Sequence, residues 1–269
     1  MKLFKRENEN RCYTIHEKQE DMICFEEFEN EVKWMNGIAY ANHVKEIEYV
    51  SNVCHVLLNT SMIDEKWIYL NLKNRISKYD RVCVLAFSFF DDTKNISDWN
   101  KQYAPGQGIW YRSNTDIFFK YGIKVDQISW VNYFTDSKEE MLQKINNSSI
   151  LLLTGGAPDL MMKRIKEKGL KKILKHYKGM VIGYSAGAMI QFNQYHISPD
   201  EDYDCFSYQN GLGYLSGFDV EVHFNNYRAQ LESIERVKQE KNIPIYCIYE
   251  DGGIIVDQDI HLFGRVDVK

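Results

Sequence analysis

The sequence predicts an α/β protein: a mostly parallel central sheet with helices on both faces, in three layers. Three observations carry this. Short runs such as Ile150-Leu151-Leu152-Leu153 and Met180-Val181-Ile182 are apolar throughout, as strands covered on both faces are. Stretches with helical spacing lie between successive runs. Two of the runs end in glycine-rich turns, and in open α/β sheets ligand-binding groups gather at the carboxyl ends of the strands.

Residues 1–52 are rich in Glu and carry the aromatics Phe25, Phe28, Trp34 and Tyr40 without a clean strand or helix period, so no element or function is assigned to them. They are expected to form an amino-terminal extension to one domain over 53–269. Val56-Leu57-Leu58 predicts a strand, Ile68, Leu72, Ile76 and Tyr79 a helix, and Val82 to Phe90 a second strand. The long connection Asp91 to Thr115 contains Pro105-Gly106 and the aromatics Trp99, Tyr103, Trp110 and Tyr111. Such an insertion reads as a lid, a binding loop or an aromatic flap packed on the surface.

Val125 to Phe134 predicts a strand, and Ser137-x-x-Glu140 is a capping box that opens a helix through Met141, Leu142 and Ile145. The run Ile150 to Leu153 ends in Thr154-Gly155-Gly156-Ala157-Pro158, where the proline suits the first turn of a helix carrying Met161, Met162 and Ile165. Leu170, Ile173, Leu174 and Tyr177 continue at helical spacing. Beyond residue 190, Phe218 to Phe224 predicts a strand, 226–241 a helix, and Ile245 to Phe263 a hairpin turning near Gly252-Gly253.

Composition narrows the function classes. The chain has 269 residues, 44% of them hydrophobic, with a net charge of -5, which gives no electrostatic footprint for nucleic acid or an anionic membrane surface. The basic start, Met1 to Arg6, runs into Glu7-Asn8-Glu9-Asn10 rather than an apolar core, so it is not read as a secretory signal. No apolar stretch approaches the ~18 residues of a membrane span. The six cysteines lack Cys-x-x-Cys spacing and read as reduced thiols of a cytoplasmic protein, and no metal or organic cofactor is expected.

The chemistry centres on Gly183-Tyr184-Ser185-Ala186-Gly187. A serine at a sharp strand-to-helix turn holds its hydroxyl clear of the sheet, and the free N–H groups of the following helix favour an oxyanion beside it. A serine hydroxyl needs a base, usually a histidine oriented by a carboxylate. His223 follows 38 residues later, at the end of a predicted strand, and Asp200, Glu201, Asp202 and Asp204 lie between the two. His196 is a rival base.

Thr154-Gly155-Gly156, then Gly183-Tyr184-Ser185-Ala186-Gly187-Ala188, Gly211-Leu212-Gly213 and Val222-His223-Phe224, in this order and spacing, resemble the peptidase E family of serine peptidases. That family includes α-aspartyl dipeptidases and, more distantly, cyanophycinase, and has the class I glutamine amidotransferase-like fold. The resemblance covers roughly residues 54–264. It implies cleavage of a small peptide substrate through an acyl-enzyme, by a monomer or homodimer, with Ser185 as nucleophile and His223 as general base. Matching Ile197-Ser198-Pro199-Asp200 to the acid-bearing segment favours Asp200, with Glu201 or Asp202 open after a shift of one or two residues. The resemblance further implies oxyanion donors at the backbone N–H groups of Ala157 and Ala186, and substrate contacts from Gly156, Arg228 and Glu250.

Three departures bear on specificity. Gly155-Gly156-Ala157-Pro158 stands where the family commonly has Gly-Gly-Gly-Asn, the loop after His223 is shorter, and the arginine that reads aspartate is matched only by the candidates Arg228 and Arg236. Serine in place of cysteine argues against glutaminase chemistry. Two alternatives belong to other classes: a serine esterase of the α/β-hydrolase type, whose histidine lies much farther along the chain, and a non-catalytic binding protein on the same fold.

Overall fold

The computed structural model describes residues 53–269 throughout and, of the first 52, the backbone of five strands. The chain divides into two compact units, Met1–Asn52 and Val53–Lys269. In the first, β1 (Leu3–Arg6), β2 (Cys12–Gln19), β3 (Met22–Glu27), β4 (Val32–Asn36) and β5 (Val44–Glu46) form an antiparallel sheet in the order β4-β3-β2-β1-β5. The β2/β3 register shifts between Ile15 and Glu17. A shift by one residue exchanges the two faces of a strand, which is why this stretch shows no clean period of two. Phe28 and Tyr40 lie outside the described residues.

The second unit alternates strand and helix as the apolar runs predict. β6 (His55–Leu58) leads to α1 (Lys66–Leu72), β7 (Val82–Leu85) to α2 (Ile96–Tyr103), and β8 (Ile128–Val131) to α3 (Lys138–Asn146). β9 (Ile150–Leu153) is followed by α4 (Pro158–Glu167) and α5 (Lys171–Lys175), and β10 (Met180–Tyr184) by α6 (Ala186–Met189). A separate hairpin, β11 (Gln194–Ile197) with β12 (Ser207–Asn210), precedes β13 (Asp219–Glu221), α7 (Arg228–Lys241), β14 (Ile245–Val256) and β15 (Ile260–Val268).

The main sheet runs β13-β14-β6-β10-β9-β7-β8, with β15 paired to β14. β6, β10, β9, β7 and β8 are mutually parallel; β14 is antiparallel to β6 and parallel to β13. Side-chain alternation sorts the strands onto two cores. Cys83, Leu85, Leu151, Leu153 and Val181 pack with Met141, Ile145, Met161 and Ile165 from α3 and α4 on one face. Val82, Val84, Ile150, Leu152 and Ile182 pack with Ile68 and Leu72 of α1 and with Phe118 on the other. Both faces are therefore covered, and the fold class is the α/β, mostly parallel one the sequence predicts.

Several boundaries differ from expectation. The run Val82 to Phe90 pairs only as far as Leu85, and Val125 to Phe134 only over Ile128–Val131. The insertion after β7 is neither lid nor loose loop over most of its length: Asn95 caps α2 by accepting from the N–H groups of Ser97 and Asp98, and the helix buries Trp99 and Tyr103 against Ala86 and Phe89. The capping box at Ser137 and Glu140 forms as expected. The terminal hairpin turns at Asp257–Asp259, not at Gly252-Gly253; those glycines lie within β14, after a register shift between Ile248 and Gly252.

Candidate active site

At the centre of the sheet, β10 passes into α6 through a single turn residue, Ser185, whose backbone sits at φ 51° and ψ −119°. Such a conformation costs a non-glycine residue ~1–3 kcal/mol, and surrounding structure has to hold it. Three backbone hydrogen bonds do so. The Ser185 N–H donates to the Leu58 carbonyl at 2.8 Å, and its own carbonyl accepts from the Ala188 and Met189 N–H groups in α6. The glycines are required by crowding: a Cβ on Gly183 would lie 2.1 Å from the Gly187 carbonyl oxygen, and one on Gly187 2.0 Å from that of Leu153. Ala186, fully buried, is the first residue of α6, where N–H groups have no partner within the helix.

Ser185 opens onto a cleft of about 600 Å³ at the carboxyl ends of the strands, lined also by Gly156, His223, Asp200, Phe90 and Tyr227. His223 follows β13 and, like Ser185, has a positive φ, 50°. Its backbone is held from both sides. The N–H donates to Asn59 Oδ1 at 3.0 Å, and the carbonyl accepts from Gln230 Nε2 at 3.0 Å and Asn225 Nδ2 at 3.1 Å. Asn59 is buried at the end of β6 and donates its Nδ2 to the Ile248 carbonyl, so it ties the histidine to the sheet. Sequence reading missed Asn59 and Gln230, because nothing local in the sequence links them to residue 223.

The imidazole Nδ1–H of His223 donates to Glu250 Oε1 at 2.6 Å. In the structure it is therefore Glu250, and not the expected Asp200, that meets the ring of His223. Asp200 does line the cleft, and its Oδ1 accepts from the backbone N–H groups of Asp202 and Tyr203, both at 2.9 Å, which folds its own loop. Glu250 was expected to touch substrate; it lies instead against the ring of His223.

Two further expectations change. The Ala157 N–H donates to the Ser88 carbonyl at 2.7 Å, so it is not free to receive an oxyanion; Gly156, the residue before it, lines the cleft. Arg228 does not line the cleft either: it is exposed in the first turn of α7 and paired with Glu232 at 2.6 Å. Arg236 is paired with Glu240 at 2.8 Å and lies over the Phe206 ring. No lysine or arginine is among the residues lining the cleft, whereas Asp200, Glu201, Asp202 and Glu221 are.

His196, the rival base, is buried among carboxylates. Nδ1–H donates to Asp219 Oδ2 at 2.8 Å and Nε2–H to Glu221 Oε2 at 2.7 Å, and Glu221 also accepts from Ser198 Oγ at 2.7 Å. Burial alone would lower the His196 pKa, but the charges and hydrogen bonds of Asp219 and Glu221 more than reverse that and push it up to about 10. An imidazolium with both N–H groups engaged cannot accept a proton. Among the described residues, no group of three or more His, Cys, Asp or Glu side chains is placed to hold a metal ion. Cys54, Cys83, Cys205 and Cys247 are free; burial pushes the Cys54 thiol up to about 11 and those of Cys83 and Cys247 to about 12, which leaves them un-ionised and poor nucleophiles.

Comparison with known proteins identifies the family and the fold. The model of peptidase family S51 matches residues 108–262, more than half of the chain and including Ser185, His223 and Glu250. The chain is similar in structure to a candidate peptidase E protein from Listeria monocytogenes EGD-e, at a TM-score of 0.53 and 16% identity over 80% of this chain and 97% of that one. It is also similar to a peptidase from an acI-B1 Actinobacterium, at a TM-score of 0.54 and 12% identity over 80% of this chain and 88% of that one. No curated relative matches the chain.

Proposed function

Because the chain belongs to peptidase family S51 and is a serine peptidase, we propose that Ser185 is its nucleophile, His223 the general base, and Glu250 the carboxylate that orients the base. The observation that carries this reading is the 2.6 Å hydrogen bond between His223 and Glu250 at the cleft onto which Ser185 opens. Held through Nδ1, the imidazole keeps Nε2 as the acceptor.

In the first half-reaction Ser185 Oγ attacks the scissile carbonyl carbon as its proton passes to His223 Nε2. The carbonyl π pair moves onto oxygen, which the N–H groups of Ala186 and Gly156 receive; loss of one such donor typically costs ~3–4 kcal/mol of transition-state stabilisation. Collapse breaks the C–N bond, and the amine leaves with the proton from His223. Water then gives its proton to His223 and attacks the acyl-serine. The ester C–O bond breaks, the acid is released and the proton returns to Ser185.

The substrates are short peptides. The lack of a lysine or arginine among the cleft-lining residues, and the carboxylates of Asp200, Glu201 and Asp202 there, disfavour an aspartyl residue beside the scissile bond, and neutral or basic residues suit the cleft better. The free thiols favour a reducing compartment, the cytoplasm.

The test is a dipeptide library with neutral, basic and aspartyl first residues, incubated with wild type and with Ser185→Ala, with products read by mass spectrometry. Free amino acids should appear with wild type alone. Equal turnover by Ser185→Ala would overturn the mechanism.

A further inference from the structure

The buried group Asp219–His196–Glu221 takes no part in the proton transfers above, yet it joins the two stretches of chain that carry Ser185 and His223. Starting from Ser185, the chain runs through α6 into β11, where His196 lies. Starting back from His223, it passes Val222 and enters β13 at Glu221. β11 and β13 belong to different sheets, and the hydrogen bonds of His196 to Asp219 and Glu221 cross between them.

β13 has only three residues and stands at the edge of the main sheet, hydrogen-bonded to β14 alone. So short an edge strand has few ladder hydrogen bonds of its own to fix its register, and the bonds of Asn59 and Gln230 hold the backbone only beyond it, at His223. Asp219 and Glu221 are two apart and so share one face of the strand, where each meets one nitrogen of the same imidazole. A slip of one residue would turn both carboxylates away and present Val220 and Val222, leaving three buried polar groups unpaired. The same slip would displace His223.

Resting on the assignment of Ser185 and His223 above, we propose that His196 is a positioning residue: its two-sided pairing with Asp219 and Glu221 pins the register of β13 and thereby aims His223 at Ser185. Ser198, which lines the cleft and donates to Glu221, extends this network to the cleft surface.

The test uses the full chain and a fluorophosphonate ester that labels activated serines, so no substrate identity is needed. The rate of Ser185 labelling is measured by intact mass for wild type, His196→Gln and Glu221→Gln. Val237→Ala, a buried change in α7 away from the cleft, serves as a control for general destabilisation, with melting temperatures recorded for all four. The expected result is labelling slowed about 10- to 100-fold in His196→Gln, as for a small misplacement of reacting groups, and by a lesser factor in Glu221→Gln, while Val237→Ala labels at the wild-type rate. If His196→Gln does not fold, Glu221→Gln, which keeps the side-chain shape, decides the matter. Folded variants that label at the wild-type rate overturn the proposal and leave the serine mechanism standing, as does equal slowing by Val237→Ala. A wild type that is not labelled overturns the serine mechanism and this proposal with it.

Discussion

Two histidines of this chain are each held by carboxylates beside one cleft, and their surroundings make them chemically opposite. His223 and Glu250 have side chains 45% and 54% exposed, the ring meets a single carboxylate through Nδ1, and Nε2 is left to exchange a proton. His196, with Asp219 and Glu221, has side-chain exposures of 1%, 0% and 6%, and both ring nitrogens are engaged. One carboxylate on an accessible imidazole leaves a ring nitrogen free, as the proposed base requires; two on a buried imidazole make a fixed cation. A histidine–carboxylate pair is therefore read for function by what its second nitrogen faces.

Two variants and one pH dependence sharpen the contrast. The largest effect is expected for His223→Ala: peptide turnover should fall ~10⁶-fold with little loss of melting temperature, since removal of the base of such a couple costs about as much as removal of the nucleophile. His196→Gln should show the reverse emphasis in stability, with denaturant unfolding revealing a loss of ~3–5 kcal/mol, because it leaves a buried carboxylate without its partner.

The smallest effect is a pH slope. The folded-state pKa of His196, about 10, lies above the ordinary value of about 6.5. The stabilisation from its charge is therefore whole below about pH 6.5 and is lost as pH rises through about 10. Lys241 of α7, Tyr208 of β12 and Cys247 of β14 lie near the same carboxylates and contribute to the wild-type curve. The diagnostic quantity is accordingly the difference in melting temperature between wild type and His196→Gln, which should shrink between pH 6.5 and 10. A difference that stays constant over that range would mean that His196 is held neutral.

The parts of this molecule legible in the sequence are those whose signal is contiguous. Ile150–Leu153 and Met180–Ile182 are apolar because both faces of a central parallel strand are covered, and Gly183 to Gly187 carries the whole turn within five residues. The place of His223 at the cleft was readable because it ends a strand at the same sheet edge as the serine turn. The carboxylate that meets its ring was not readable in this way. Asp200 sits between serine and histidine in the chain, whereas Glu250 comes after both and is carried to His223 by β14, across a register irregularity that resembles a hairpin turn in sequence. Asn59 and Gln230 escaped for the same reason, being joined to residue 223 by sheet order and helix packing rather than by spacing. The hairpin β11–β12 was missed as well, since Gln194–Ile197 and Ser207–Asn210 are too short and too polar to stand out as strands.

The assignment of the acid is the central claim, and one measurement bears on it most directly: the rate of fluorophosphonate labelling of Ser185 in Glu250→Gln compared with Asp200→Asn. Loss of the orienting carboxylate in comparable couples lowers the rate ~10⁴-fold, so Glu250→Gln should label at least about 100-fold more slowly than wild type, with Asp200→Asn within about threefold of it. Slow labelling of Asp200→Asn together with a wild-type rate for Glu250→Gln would contradict the account and return the role to the loop between serine and histidine.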